Sequence, residues 1–411
     1  MHKLTIQKTA EQLSKFCLAI IIIGFYYSKA LRSIGVVALA ILILFQPISL
    51  KNYRLLIKEK LFISILVIAV FYMLSFLYGG SFSEYWWHVK NKLLYFFIPV
   101  ALVNIRFNKK ELTYLFVLWI GCALVQSAYA FYAFIEYGNT EKLYVTGQVL
   151  PTIKIYHIDI SYLICISILL LYAAYKYIAD FRLKVLTVIT ITWFVFFIHL
   201  YAVRSGILIL YLFFIIQVIM MLKKKKLIPV MLLLILLSVC FYIPYKFSNN
   251  IKNRIDYTIY DIEKFKSKDN DMLNYSDSRR LQSILVGIQI IKEHLWLGCG
   301  TGNIRNESNK IYRKDYPLML KENFFKPHSF YIYIICCFGI LIGSIILLCF
   351  LYPLYYFFKT NNSLLFSLYA SLVFISIWEG FMFSLIGECF YLFSVSIGIK
   401  MKLNEDIINQ Q

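Results

Sequence analysis

Long apolar runs recur along almost the whole chain, and short polar clusters separate them. A bilayer core about 30 Å thick needs about 20 apolar residues in a helix. Runs approaching or exceeding that length fall at roughly 14–28, 33–50, 61–77, 92–105, 112–135, 155–177, 184–203, 206–222, 227–244, 328–355, 364–382 and 386–399. The pattern predicts an all-α, polytopic integral membrane protein with about twelve spans. One long polar segment interrupts it. The chain therefore divides into an N-terminal membrane bundle over 1–245 (about nine spans), a large loop over 246–327 and a C-terminal bundle over 328–411 (about three spans).

Inside that loop the period changes to amphipathic helix. Ile255, Ile259 and Ile262 recur at i, i+4, i+7, and Leu281, Ile284, Leu285, Ile288 and Ile291 form a longer stripe. The second stripe faces charges at Arg279, Arg280, Lys292 and Glu293, as a helix lying on a membrane surface would. It ends at Gly298-Cys299-Gly300-Thr301-Gly302, a glycine-rich terminator. Between the two helices, Lys266 to Asp277 reads as a polar, mobile loop.

Composition supports the membrane reading. Of 411 residues, 60% are apolar and 16% charged, and mean hydropathy is +0.70. A soluble domain is about 45–50% apolar and about 25% charged, so a water-soluble globule is excluded. Aromatic residues at 18% exclude a disordered chain. The net charge of +20 would suggest nucleic acid in a soluble protein; here it reads as topology, and no nucleic-acid partner is expected. With the N-terminus in the cytoplasm, the short cytoplasmic segments hold 20 Lys and Arg, the short outer loops 7 and the long segment 15. Long loops are exempt from the positive-inside bias. The count therefore sets both termini in the cytoplasm and 246–327 outside. Most of the nine cysteines sit in apolar runs as packing thiols, and no Cys-x-x-Cys pair occurs.

Ionisable groups inside spans are costly and rare. Asp159 and Glu379 are such groups, either structural hydrogen-bonding residues or functional ones. His199 and Arg204 close the seventh span. Arg204 lies in Tyr201-Ala202-Val203-Arg204-Ser205-Gly206, where its guanidinium could either fork onto phosphate oxygens or snorkel to the interface. Arg279 and Arg280 open the amphipathic helix, against the helix dipole; anion binding and attraction to acidic headgroups both explain them. His328, in Lys326-Pro327-His328-Ser329-Phe330, reads as a general base or an interfacial anchor. Tyr85, Trp86 and Trp87 read as interface anchors or a surface for sugar stacking. Asp269-Asn270-Asp271 reads as a solvated turn, and no His, Cys or Glu set has zinc spacing.

Taken in order, three local patterns resemble those of the O-antigen ligase family. Arg204-Ser205-Gly206-Ile207-Leu208 is similar to its Arg-x3-Leu motif after the seventh span. Arg280, running to Leu297-Gly298-Cys299-Gly300-Thr301-Gly302-Asn303, is similar to its Arg at the head of a loop helix, with Arg279 as the other candidate. His328-Ser329 followed by Gly339 is similar to its His-(Asn/Ser/Gln)-x9-Gly motif. The family often has a small residue or Tyr three positions after that glycine; here Ile342 stands there and Gly343 follows. The likeness covers the whole chain in topology and about residues 200–345 in motif.

That resemblance implies a multi-pass glycosyltransferase of the bacterial inner membrane, requiring neither metal nor other cofactor. Its donor would be an undecaprenyl-diphosphate-linked glycan, and its acceptor a lipid A-core sugar or another glycan. Arg204 and Arg280, with Arg279, would bind the diphosphate. His328 would take the acceptor proton, giving inversion. The nearest rival is a surface-polysaccharide polymerase of similar architecture. A transporter or flippase of lipid-linked sugars should show repeated halves or several deep ionisable residues, and neither is evident.

Overall fold

The computed structural model describes residues 2–45, 56–136, 153, 155–223, 249–267, 276–317, 319 and 324–408, with isolated positions between 224 and 248. Every regular element among them is helical. In chain order these are α1 (His2–Tyr27), α2 (Lys29–Leu42), α3 (Lys60–Leu74), α4 (Phe82–Val89), α5 (Leu94–Asn104), α6 (Lys109–Glu136), α7 (His157–Tyr175), α8 (Phe181–Tyr201) and α9 (Arg204–Lys223). Then follow α10 (Asn249–Ser267), α11 (Ser276–Glu293), α12 (Ile304–Asp315), α13 (Phe330–Lys359), α14 (Ser363–Ile375) and α15 (Leu385–Ile408).

Among the described residues, 7 helices are long and apolar enough to cross a membrane. They account for the expected first, third, fifth to eighth and tenth runs. The second and fourth runs form shorter helices of 14 and 11 residues, and the eleventh one of 13. The last run lies within α15. Most of the ninth run, and Asp269-Asn270-Asp271, lie outside the described residues.

Contacts between helix ends agree with alternating spans. At one end Lys15 pairs with Glu111 at 2.9 Å, Lys402 with Glu59 at 2.6 Å, and Lys223 lies 3.7 Å over the Phe358 ring. These residues lie on or beside the segments that the charge count assigns to the cytoplasm. The opposite end gathers Arg204, α4, α10, α11 and the segment around His328. Between the ends, aromatic rings interlock around Phe25, Trp119 and Phe390. Hydroxyls bind within the bundle: Trp119 Nε1 donates to Ser167 Oγ at 2.9 Å. Such bonds satisfy polar atoms where no water is present.

α13 is continuous in sequence but not in direction. At Gly339 the backbone takes φ 67°, ψ −177°, a region essentially confined to glycine. The first half then folds back along the second. The Phe330 ring lies 4.9 Å from that of Phe350, and Tyr331 lies 6.2 Å from the same ring. In a straight helix those twenty residues would span about 30 Å. Thus the single span expected over 328–355 is a helical hairpin. Only its second arm, about 30 Å long from residue 340 onward, runs toward the end that carries Lys359.

The break frees four backbone groups that a continuous helix would pair internally, and buried groups of this kind need partners. The turn after α11 supplies all four. Cys299 N donates to Cys336 O at 2.9 Å and Gly300 N to Cys337 O at 2.8 Å. In return Ile340 N donates to Leu295 O at 2.8 Å and Leu341 N to Trp296 O at 3.4 Å. Gly298 (φ 76°) admits this approach, because a Cβ there would overlap the Cys337 carbonyl. The glycine-rich terminator is therefore the piece of chain that closes the break in α13.

Candidate functional site

Folding α13 back brings its N-terminus beside the middle of its own second arm. His328 precedes Phe330, whose backbone N–H donates to Ser376 O at 3.0 Å, just past α14. Ten residues separate Ile340 from Phe350, so His328 sits roughly 15 Å from the hairpin tip. α11 runs alongside. Gly287 packs where a Cβ would meet Ile332 at 2.6 Å and Pro327 at 3.0 Å, and the Cys336 thiol donates to Gly287 O at 3.2 Å.

An outward apolar stripe is what a helix lying against a membrane surface would present. α11 buries Gln282, Ser283, Val286 and Ile290 against its neighbours, and leaves Leu281, Leu285 and Ile288 exposed. The apolar stripe read from the sequence is the outward face; the buried face is the more polar one. In α10, likewise, Ile259 and Ile262 are exposed while Asp261 is wholly buried.

Asp261 explains how α11 begins. Its carboxylate accepts from Asp277 N at 2.8 Å and Ser278 N at 3.1 Å, and the Ser278 hydroxyl also donates to it. An acid from one helix thus satisfies the open N–H groups of another. That anchor fixes Asp277, whose two oxygens meet two arginines. Arg204 Nη1, on the first residue of α9, pairs with Asp277 Oδ2. Arg280 Nη1 lies 3.5 Å from Asp277 Oδ1, and Arg280 Nη2 lies 2.8 Å from Glu379 Oε1. Both arginine side chains are about one quarter exposed (26%). Glu379 lies past the end of α14 rather than inside a span.

One turn beyond Arg280, Ser283 Oγ lies 3.1 Å from His328 Nδ1 and accepts from His328 N at 3.2 Å. Burial, then the positive charges of Arg280 and Arg279, push the His328 pKa down to about 4. The ring is neutral at physiological pH and can accept a proton. The Arg279 guanidinium lies 5.7 Å over the Phe325 ring, and that ring meets His328 edge-on at 5.3 Å. Arg204, Arg280 and His328 are therefore linked through Asp277 and Ser283, while Arg279 joins the group through Phe325.

Lys326, two residues before His328, is held on its other side by α4. It pairs with Glu84 at 2.6 Å, donates to His88 Nε2 at 3.1 Å and lies 4.4 Å over the Trp87 ring. Burial, with Lys326 and Lys92 beside it, lowers the His88 pKa and keeps that ring neutral too. Trp87 thus has a structural partner, and Trp86 stacks on Phe82 at 6.4 Å. His199 is engaged within the bundle, with Nδ1 at 2.8 Å from Val195 O and Nε2 at 3.1 Å from Tyr211 OH. Asp159, in the first turn of α7, has Arg32 and Lys29 as its opposite charges.

Sequence reading missed Asp277, Asp261 and Ser283. Asp277 carried a usable signal, an acid beside two arginines at a helix start. Asp261 and Ser283 carried none, because their partners lie 16 to 45 residues away. Among the described residues, Glu293, His294 and Glu307 offer three potential metal-ligand atoms within 4.8 Å of one another. They lie at the other end of α11, and Lys310 already holds Glu307 at 2.6 Å.

Residues 187–348 match the family model described as O-antigen ligase. The match spans Arg204, Arg279, Arg280, His328 and Gly339, the same stretch that carries the three motifs. No curated protein matches the chain. Residues 187–348 of this polytopic membrane protein are thus similar to the O-antigen ligase family, whose members are ligases and polymerases of membrane-borne glycans.

Proposed function

We propose that this protein transfers a glycan from undecaprenyl diphosphate to a sugar hydroxyl of lipid A-core, at the outer face of the bacterial inner membrane. Arg204 and Arg280 bind the diphosphate, with Arg279 beside them, and stabilise its charge as the glycosidic bond breaks. The acceptor hydroxyl oxygen attacks the anomeric carbon from the opposite side. Its proton passes to the His328 ring, and undecaprenyl diphosphate leaves, so the anomeric configuration inverts. A protein-only charge clamp of this kind can work without a metal ion.

The supporting observation is the convergence of three distant motifs on one acid-bridged cluster, with a neutral imidazole one helical turn from Arg280. Arginine forks suit phosphate better than lysine does, and a neutral ring is the form a general base requires. Asp277 bridges the two guanidinium groups, and Glu379 takes the second terminal nitrogen of Arg280. Arg280 thus meets carboxylate oxygens with two nitrogens, as it would meet phosphate oxygens.

Deleting the gene in its source cell tests the acceptor. Long glycan accumulating on the undecaprenyl carrier, with bare lipid A-core at the surface, is the expected result. Core carrying a single repeat unit would instead identify a polymerase. Unchanged pools would contradict both.

A further inference from the structure

We infer that Ser283 is a positioning residue that fixes His328 in the tautomer protonated on Nδ1, leaving the Nε2 lone pair to take the acceptor proton. This rests on His328 being the base in the proposed transfer.

A serine hydroxyl has one proton and two lone pairs. Ser283 Oγ has three polar neighbours. It lies 2.7 Å from Arg280 O, 3.2 Å from His328 N and 3.1 Å from His328 Nδ1. The shortest of these contacts is to the Arg280 carbonyl, which only accepts, and the hydroxyl donates its single proton there. A backbone N–H only donates, so His328 N occupies one lone pair. The remaining lone pair faces Nδ1. With the hydroxyl proton on Arg280 O, an unprotonated Nδ1 would set two lone pairs against each other at 3.1 Å inside the protein. Ser283 is wholly buried, which keeps bulk water from relieving that clash. All three contacts are satisfied together only when Nδ1 carries the hydrogen.

The neutral ring has a single N–H, so placing it on Nδ1 leaves Nε2 without one. The opposite tautomer would present an N–H to the acceptor hydroxyl and could not remove its proton. Ser283 also holds the Arg280 carbonyl, so one side chain ties the arginine's helical turn to the orientation of the ring. The residue acts through His328 and touches no substrate.

The test uses the full-length protein, labelled with 15N-histidine and held in lipid nanodiscs, with His328 signals identified by their loss in His328→Asn. The wild type should show protonated Nδ1 and unprotonated Nε2. In Ser283→Ala the ring should shift toward Nε2 protonation. Transfer kcat should fall at least about tenfold, within the roughly 10²–10⁴-fold that a positioned base contributes. KM should stay within about twofold. Ser283→Thr, which keeps the hydroxyl, should restore both tautomer and rate. A wild-type ring protonated on Nε2 overturns the inference, even if Ser283→Ala does not fold. An unchanged tautomer in Ser283→Ala also overturns it. A switched tautomer with undiminished transfer would uphold the assignment and overturn His328 as the base.

Discussion

Replacing Gly339 with alanine should be among the most damaging single-methyl changes available to this protein. The residue holds φ 67°, ψ −177°, a conformation that costs any other residue about 1–3 kcal/mol. Its added Cβ would also overlap the Trp296 carbonyl and Leu297 N. Relief requires the 295–300 turn to withdraw from α13, breaking the four backbone hydrogen bonds between them. Each contributes about 1 kcal/mol net, and each buried group left unpaired costs about 1–3 kcal/mol more. The total is about 5 kcal/mol at minimum, comparable with the whole stability of many domains. Two glycines serve as controls. A Cβ at Gly343 would press on the end of the flexible Ile335 side chain at 2.9 Å and otherwise make ordinary contacts at 3.4 Å, and one at Gly121 would meet nothing within 4 Å. Gly343→Ala should therefore cost about 1 kcal/mol or less, and Gly121→Ala should gain up to about 1 kcal/mol in helix propensity. The fraction of purified protein that stays soluble and monodisperse after graded heating reads this order directly. Gly339→Ala as heat-resistant as the wild type would refute the pairing of turn and hairpin.

Other expectations concern the site itself. Arg280→Lys keeps the charge but cannot reach Asp277 and Glu379 with two separate nitrogens, so reconstituted transfer should fall at least about tenfold; near-normal rates would deny the fork a role. His328 titrates near 4 instead of 6.5, so the rate limb that depends on it should stay flat from pH 8 to about 5.5. A break near 6.5 in kcat/KM would contradict that. The same depression makes the unfolded chain bind the proton more readily, so stability present above pH 6.5 should fade as pH falls toward 4, visible in thermal scans. Asp261→Ala removes the acceptor for two N–H groups at the start of α11 and should cost about 1–2 kcal/mol, with transfer falling as Asp277 loses its anchor. Unaltered heat resistance in that variant would show that α11 does not depend on this cap.

The spans were legible because apolar composition and length leave few alternatives in a bilayer. The amphipathic period of α11 was legible as well, but what its other face packs against was not. Leu281, Leu285 and Ile288 turn outward, and the buried face carries Gln282 and Ser283, the latter in contact with His328. The hairpin in α13 was hidden because both arms are apolar and one glycine marks the break. Hydropathy cannot distinguish 30 apolar residues that cross once from 30 that fold back. Glu379 was visible as a costly acid near a span, yet its partner Arg280 came only from the meeting of α11 with the end of α14.

The most direct test of His328 and Arg280 as the transfer machinery is a reconstituted reaction. Purified protein in liposomes would receive undecaprenyl-diphosphate-linked glycan and lipid A-core, and core-linked glycan would be measured over time. The wild type should form it with inverted anomeric configuration. His328→Asn and Arg280→Ala, at equal abundance and heat resistance, should each be slower by at least about 100-fold. Equal product from either variant would contradict that residue's role, and no product from the wild type would contradict the proposed transfer itself.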